Sequence, residues 1–254
     1  MCGRYAIGRS ARELADDLGA AISPTLAAWR PSFDLTPGSE GPVLVEVPER
    51  RLGLARFGLA PEGPGKRLVF NARAETLSER PLFAEAAARR RCVVPTDGFF
   101  EWEQRGSRRI PHFVHALHPA DAHAGTRPLL LLAGLYEVAH DAETGERRTR
   151  FVIVTVPAVP PVARVHDRMP LVVPRGLVAS WLARGELSPE EALAAIASAT
   201  PVPLAMHPVS GRALAQHLDG PSLLEPVDPD DAETGLLAFG DDELDARAPR
   251  RGPR

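Results

Sequence analysis

The chain has 254 residues, 44% apolar and 25% charged, with a formal net charge of -3. That composition describes a globular protein able to bury a substantial core and excludes a membrane-spanning helix, a disulfide-dense scaffold and a low-complexity chain. The overall charge hides a division. Residues 219–254 carry ten acids and four arginines, which leaves 26 basic against 23 acidic groups, a net of +3, in the residues before them.

Taken in chain order, residues 1–10 read as an extended start. Ser10 with Glu13 forms a capping box that opens a helix over 11–18. Residues 31–38 read as loop, and 43–47 with 52–57 as a hairpin pair. The Gly- and Pro-rich stretch 61–66 is a turn, followed by a short strand at 68–70. A helix is predicted over 81–89, a strand from 92, a turn at 95–98 and extended structure over 99–102. Residues 110–117, 129–138 and 150–156 have strand patterns, the last two joined through 141–146. Pro160 and Pro161 break the chain before His166. Beyond them come a short strand at 171–173 and a short helix at 177–182. Ser188, Pro189 and Glu191 supply cap, N1 and N3 of a helix ending near Ala199. Residues 221–254 hold few core-like runs, and disorder is expected from Asp241 onward.

Strands outnumber helices and are joined mostly by turns. The expected fold class is therefore α+β, mainly antiparallel strands forming a barrel-like domain with peripheral helices. The expected organisation is one domain over 1–228 and an acidic, then basic, tail over 229–254. The start of the chain lacks a basic-then-apolar signal, so the expected location is the cytoplasm, with no membrane partner.

Cys2 and Cys92 are the only cysteines, too few for a Cys-rich zinc site. His112, His115, His118 and His123 do not complete a ligand set, since 112 and 115 fall on opposite faces of a strand. No metal is expected. No phosphate loop, dinucleotide fingerprint or nucleophile elbow occurs, so no cofactor is expected either. Lys66 is the only lysine.

Position 2 gives Cys2 a special chemistry. If Met1 is removed, a primary amine and a thiol stand on adjacent carbons. The amine can condense with an aldehyde to an imine, and the thiol can close a five-membered thiazolidine in an intramolecular step. Three further stretches carry polar groups suited to a site. Asn71–Thr76 packs an amide, a guanidinium, a carboxylate and a hydroxyl into six residues. Glu101 lies among aromatics, sharing a strand face with Phe99 while Phe100 and Trp102 take the other, and apolar surroundings raise a carboxyl pKa. His166 follows a proline-broken loop and can shuttle protons near neutral pH.

These stretches occur with Arg90–Trp102, Leu132–Glu137 and His166–Pro170 in an order that resembles the SOS-response-associated peptidase (SRAP) family of abasic-site processing proteins. The resemblance covers about residues 1–228 and implies covalent recognition of abasic sites in single-stranded DNA. The Cys2 amine and thiol would give an imine and then a thiazolidine DNA–protein crosslink. Asn71 would orient the sugar or the N-terminus, Glu101 would handle protons during imine formation, and His166 would assist sugar ring opening. Arg4 and Arg73 would hold phosphates beside the lesion, and Phe57 would supply an aromatic plate where the family usually begins with tryptophan. Arg90 and Arg91 join the DNA-binding set from charge clustering alone. The family pattern also departs at Asp34, commonly asparagine, and at Phe100, commonly tyrosine. The resemblance further implies lyase or self-processing peptidase activity, association with the nucleoid at damaged DNA and a link to the replication machinery. A monomer is the default state. Two other readings stay open: an N-terminal-cysteine amidohydrolase, and a noncovalent single-stranded DNA-binding module.

Overall fold

The computed structural model describes residues 2–59, 68–117, 128–140, 147–183, 185–216 and 218–232. The expected connections at 61–66 and 141–146, His118, His123 and the tail beyond residue 232 lie outside the described residues. The strands are β1 (Tyr5–Ile7), β2 (Ala21–Ile22), β3 (Ser32–Leu35), β4 (Glu40–Glu46), β5 (Arg50–Phe57), β6 (Asn71–Arg73), β7 (Arg91–Thr96), β8 (Gly98–Arg105), β9 (Arg108–Ala116), β10 (Leu130–His140), β11 (Arg147–Pro157), β12 (Arg168–Pro170) and β13 (Leu204–Pro208). The α-helices are α1 (Ala11–Leu18), α2 (Pro81–Arg89), α3 (Val178–Leu182), α4 (Pro189–Ser198) and α5 (Gly211–Ala215).

One sheet closes on itself. β11 pairs with β10, β10 with β7, β7 with β4 and β4 with β5, all antiparallel. β5 then returns to β11 in parallel through Arg56↔Arg150 and Phe57↔Phe151. Closure removes the open edges that would otherwise invite pairing with another chain. The seam is aromatic. Phe57 stacks on Phe151 at 5.1 Å and meets Tyr5 and Phe70 edge-on at 5.7 and 5.9 Å. β6 lies parallel to β11, with Asn71 opposite Ile153 and Arg73 opposite Thr155. The fold is thus α+β with a barrel-like sheet and peripheral helices.

The second sheet has the order β13–β9–β8–β1–β3. Strand alternation divides its residues as expected: Phe99 and Val114 join the main core with Cys2 and Tyr5, while Phe100 and Phe113 form a separate cluster with Ala6, Val209 and Leu214, flanked by Trp102. Gly98 lets β8 pass close to β9, because a Cβ there would overlap the Val114 carbonyl and the Phe113 ring.

Both predicted capping boxes form, Ser10 with Glu13 on α1 and Ser188 with Glu191 on α4. Three expectations need correction. The stretch 31–38 is not all loop, because β3 pairs with the short β1 through Tyr5↔Leu35. The strand expected at 68–70 is a single bridge, Val69 to Leu59, and regular pairing begins at Asn71. The strand expected at 171–173 is a single bridge, Val172 to Leu132, and the regular strand β12 ends just before it at Pro170, paired on β11. The structure also forms β13 and α5, which the sequence reading did not mark, and within 221–254 it buries Leu223.

Candidate active site

β1 brings the start of the chain alongside β8. Tyr5 pairs with Phe99 and Ala6 with Gly98, and Phe100 N–H donates to the Arg4 carbonyl at 2.9 Å. The same antiparallel register, continued toward the terminus, sets Glu101 beside residues 2 and 3. Cys2 is fully buried. Burial pushes its thiol well above the usual range, and the Glu101 charge pushes in the same direction. From the other side β6 delivers Asn71, whose Nδ2 donates to the Cys2 carbonyl at 3.1 Å. Its Oδ1 is buried and has no hydrogen-bond partner among the described residues. Glu101 is only 2% exposed, and that burial raises its carboxyl to about 7, with Arg109 opposing the shift and Asp167 adding to it. Segments 69 and 99 residues from Cys2 thus converge on it.

His166 lies in the turn that precedes β12 and is partly buried. Its Nδ1 lies 2.8 Å from the Arg168 N–H and 3.0 Å from the Asp167 carboxylate. The first contact needs a bare nitrogen and the second a protonated one, so they are alternatives set by whether Nδ1 carries a proton. The Asp167 charge acts on Glu101, so this turn lies within electrostatic reach of that carboxyl. Arg168 grips Glu75 through two contacts of 2.5 and 2.9 Å and also donates to the Thr155 carbonyl at 2.6 Å, which fastens the turn to β11. An open cleft of about 420 Å³ adjoins Asn71 and is lined by Arg73, Thr76, Arg80 and Thr155 as well. Arg73 and Arg80 are exposed.

Three of the other expected DNA-binding residues, Arg4, Arg91 and Phe57, face inward. Arg4 is 5% exposed; its guanidinium pairs with both oxygens of Asp34 and donates to the Leu214 carbonyl at 3.2 Å. Asp34 therefore gives Arg4 a charge partner that asparagine would not. Arg91 is buried against Trp181 and donates to the carbonyls of Trp181, Ala87, Ala183 and Leu187, so it ties α2 and α3 to the barrel. Phe57 is fully buried in the seam, as close packing of a barrel closure requires, and offers no face to a base. Arg90 is partly exposed and paired with Glu85 at 2.7 Å. Phe100 lies in the separate aromatic cluster, so the missing hydroxyl is not missing from the cleft. Arg80 and Thr155 were not singled out in the sequence, while Thr76 and Arg168 entered only as members of the stretches Asn71–Thr76 and His166–Pro170. The signal for Arg80 was its place just before the Pro81 that starts α2.

The sequence profile of the family described as SOS response associated peptidase (SRAP) matches residues 1–214. A protein from Gallus gallus named abasic site processing protein HMCES is 30% identical, over 90% of this chain and 78% of its own length. The abasic site processing protein YoaM of Bacillus subtilis is 28% identical over 75% of this chain and 82% of its own. Among solved structures, a protein from Bacteroides thetaiotaomicron superposes with a TM-score of 0.73 at 21% identity, covering 89% of this chain and all of that one. That likeness shows the fold.

Proposed function

The chain belongs to the SOS response associated peptidase (SRAP) family, and we propose that it reacts covalently with abasic sites in single-stranded DNA through Cys2. The observation that supports this most is the convergence of Asn71 and Glu101 on Cys2, the one residue that can present an amine and a thiol together. Removal of Met1 frees the Cys2 amine. The amine attacks the aldehyde carbon of the ring-opened sugar, forming the N–C bond while the carbonyl oxygen gains a proton. Loss of one water gives the imine. The thiol then adds to the imine carbon; its sulfur forms the second bond and its proton ends on nitrogen, closing the thiazolidine.

Each neighbour has a part that follows from its chemistry. Asn71 Nδ2 holds the Cys2 carbonyl, and its Oδ1 stays available to accept from the amine or a sugar hydroxyl. A carboxyl poised at about 7 can take the thiol proton and return one to the departing hydroxyl at neutral pH, which fits Glu101. His166, with Nδ1 accepting from Arg168, carries its proton on Nε2 and can donate to the ring oxygen as the sugar opens. Arg73 and Arg80 at the cleft suit flanking phosphates, so binding weakens with salt and shows little sequence preference.

The test uses single-stranded DNA with one abasic site, with and without prior capping of the aldehyde by an alkoxyamine, followed by heating in detergent. The expected result is a heat-stable adduct that capping abolishes. Adduct formation indifferent to capping contradicts the reading. Retardation of capped and uncapped DNA alike, with no denaturation-resistant band, identifies a noncovalent binder instead. Cleavage of an amide substrate without any adduct identifies the hydrolase.

A further inference from the structure

A second titratable cluster backs onto the site. The β8–β9 hairpin turns at Gly106, φ 62, and its register sets Glu101 opposite His112 and Arg105 opposite Arg108. Directly opposed residues project from one face, and so do residues two apart along a strand. Glu101, His112 and Glu103 therefore share the face of Phe99 and Val114. Exposure rises outward along this row: 2% for Glu101, 8% for His112 and 23% for the Glu103 side chain.

His112 Nε2 lies 3.0 Å from Glu103 Oε2. Against the burial that would raise it, hydrogen bonds from His112 and Arg105 hold the Glu103 carboxyl below its usual value. An ionised Glu103 keeps the proton of the neutral ring on Nε2 and leaves Nδ1 as a bare base. That Nδ1 is buried and has no hydrogen-bond partner among the described residues. A purely structural pair gains nothing from an unsatisfied buried nitrogen, which is unfavourable. A carboxylate that orients a histidine with its second nitrogen open is the arrangement of a proton acceptor. Among the described residues Arg105 contacts Glu103, Arg109 and Asp167 act on Glu101, and β13 places Pro208 opposite His112.

We infer that the Glu103–His112 pair is a proton relay that connects buried Glu101 with solvent while DNA covers the mouth of the site. The inference rests on the crosslinking reading above, whose balance calls for such a route. Starting from the protonated Cys2 amine, formation of one neutral thiazolidine releases one water and one proton. Glu101 collects that proton and passes it to Nδ1 through one bridging water, a span that fits directly opposed strand residues. Nε2 then gives its own proton to Glu103, which releases it to solvent. Return of the ring to its starting tautomer completes the cycle. His112 and Glu103 are thus positioning and relay residues rather than groups that touch the sugar.

The experiment compares single-turnover crosslinking of wild type, His112→Ala and Glu103→Gln at saturating abasic single-stranded DNA, with and without added imidazole. The expected result is a loss of about tenfold in maximum rate for His112→Ala, an unchanged half-saturating DNA concentration, and recovery of most of the rate with imidazole. Glu103→Gln, which keeps the shape of the hairpin, is expected to slow the reaction by about threefold and to alter its pH profile. Wild-type rates in both variants overturn the relay. So does a loss that imidazole does not restore and that comes with an equal loss of DNA affinity. If wild type itself forms no aldehyde-dependent adduct, the crosslinking reading falls and the relay with it; if wild type reacts and the variants match it, the relay alone falls.

Discussion

The aromatic seam of the barrel and the pocket around Cys2 share Tyr5 as a boundary and are built on opposite terms. At the seam Phe57, Phe151 and Tyr5 are fully buried, and Phe57 meets the other two in a stacked and an edge-on pair, with the Tyr5 hydroxyl at the boundary left without a partner among the described residues. A few residues away the pocket buries a carboxylate, a raised thiol and an amide oxygen without a partner among the described residues. The seam supplies the stability that lets the pocket hold these unfavourable groups in place. The difference separates residues whose loss should unfold the protein from residues whose loss should silence it.

The largest effect should come from Cys2→Ala, which removes the thiol and should abolish the heat-stable adduct while leaving an imine that borohydride traps. A Cys2→Ala adduct as heat-stable as wild type would refute ring closure. Next, Glu101→Gln should slow crosslinking by about a hundredfold with DNA affinity retained; equal losses in rate and affinity would make Glu101 structural. The same variant sharpens the contrast in stability. The folded-state value of Glu101, about 7, lies above its ordinary 4.5, so the folded protein holds this proton more tightly than the unfolded chain does. Its stabilisation is complete below the unfolded value and is lost as pH rises through about 7. Denaturant melts should show wild type losing a few kcal/mol against Glu101→Gln between about pH 4.5 and pH 8; parallel curves would show that the carboxyl is not perturbed.

Phe57→Ala breaks the other side of the comparison. It should cost about 3–5 kcal/mol of stability and leave the crosslinking rate of the folded fraction nearly unchanged. A stable Phe57→Ala protein with impaired DNA binding would return Phe57 to the site. The smallest contrast is between two arginines. Arg73→Ala should lower DNA affinity and reduce the salt slope by about one, with no change in melting. Arg91→Ala should destabilise the fold and leave that slope intact; the reverse pattern would contradict the burial of Arg91.

Much of this contrast was legible in the sequence. Both capping boxes, the β4–β5 hairpin and the separation of Phe99 and Glu101 from Phe100 and Trp102 follow from local chemistry and strand alternation. Sequence order also singled out Cys2, Asn71 and Glu101, although only the pairing of β1 with β8 and the seating of β6 on β11 show them meeting. Charge alone could not say which arginines are solvated. Arg4 and Arg91 look like Arg73 in sequence, but one pairs with Asp34 thirty residues away and the other with carbonyls around α3. Phe57 carried a usable signal, since it lies two residues from the buried Ala55 and therefore on the same face of β5. The Glu101–His112 pairing was within reach as well: a two-residue turn at Gly106–Ser107 fixes that register without any tertiary information.

The central claim is that Cys2 alone joins amine and thiol to one aldehyde carbon. Intact-protein mass spectrometry, before and after incubation with single-stranded DNA bearing one abasic site, tests it most directly. The account predicts a free protein lacking Met1 and an adduct equal to that protein plus one DNA strand minus one water. A protein that retains Met1, or an adduct whose mass shows no loss of water, would contradict it.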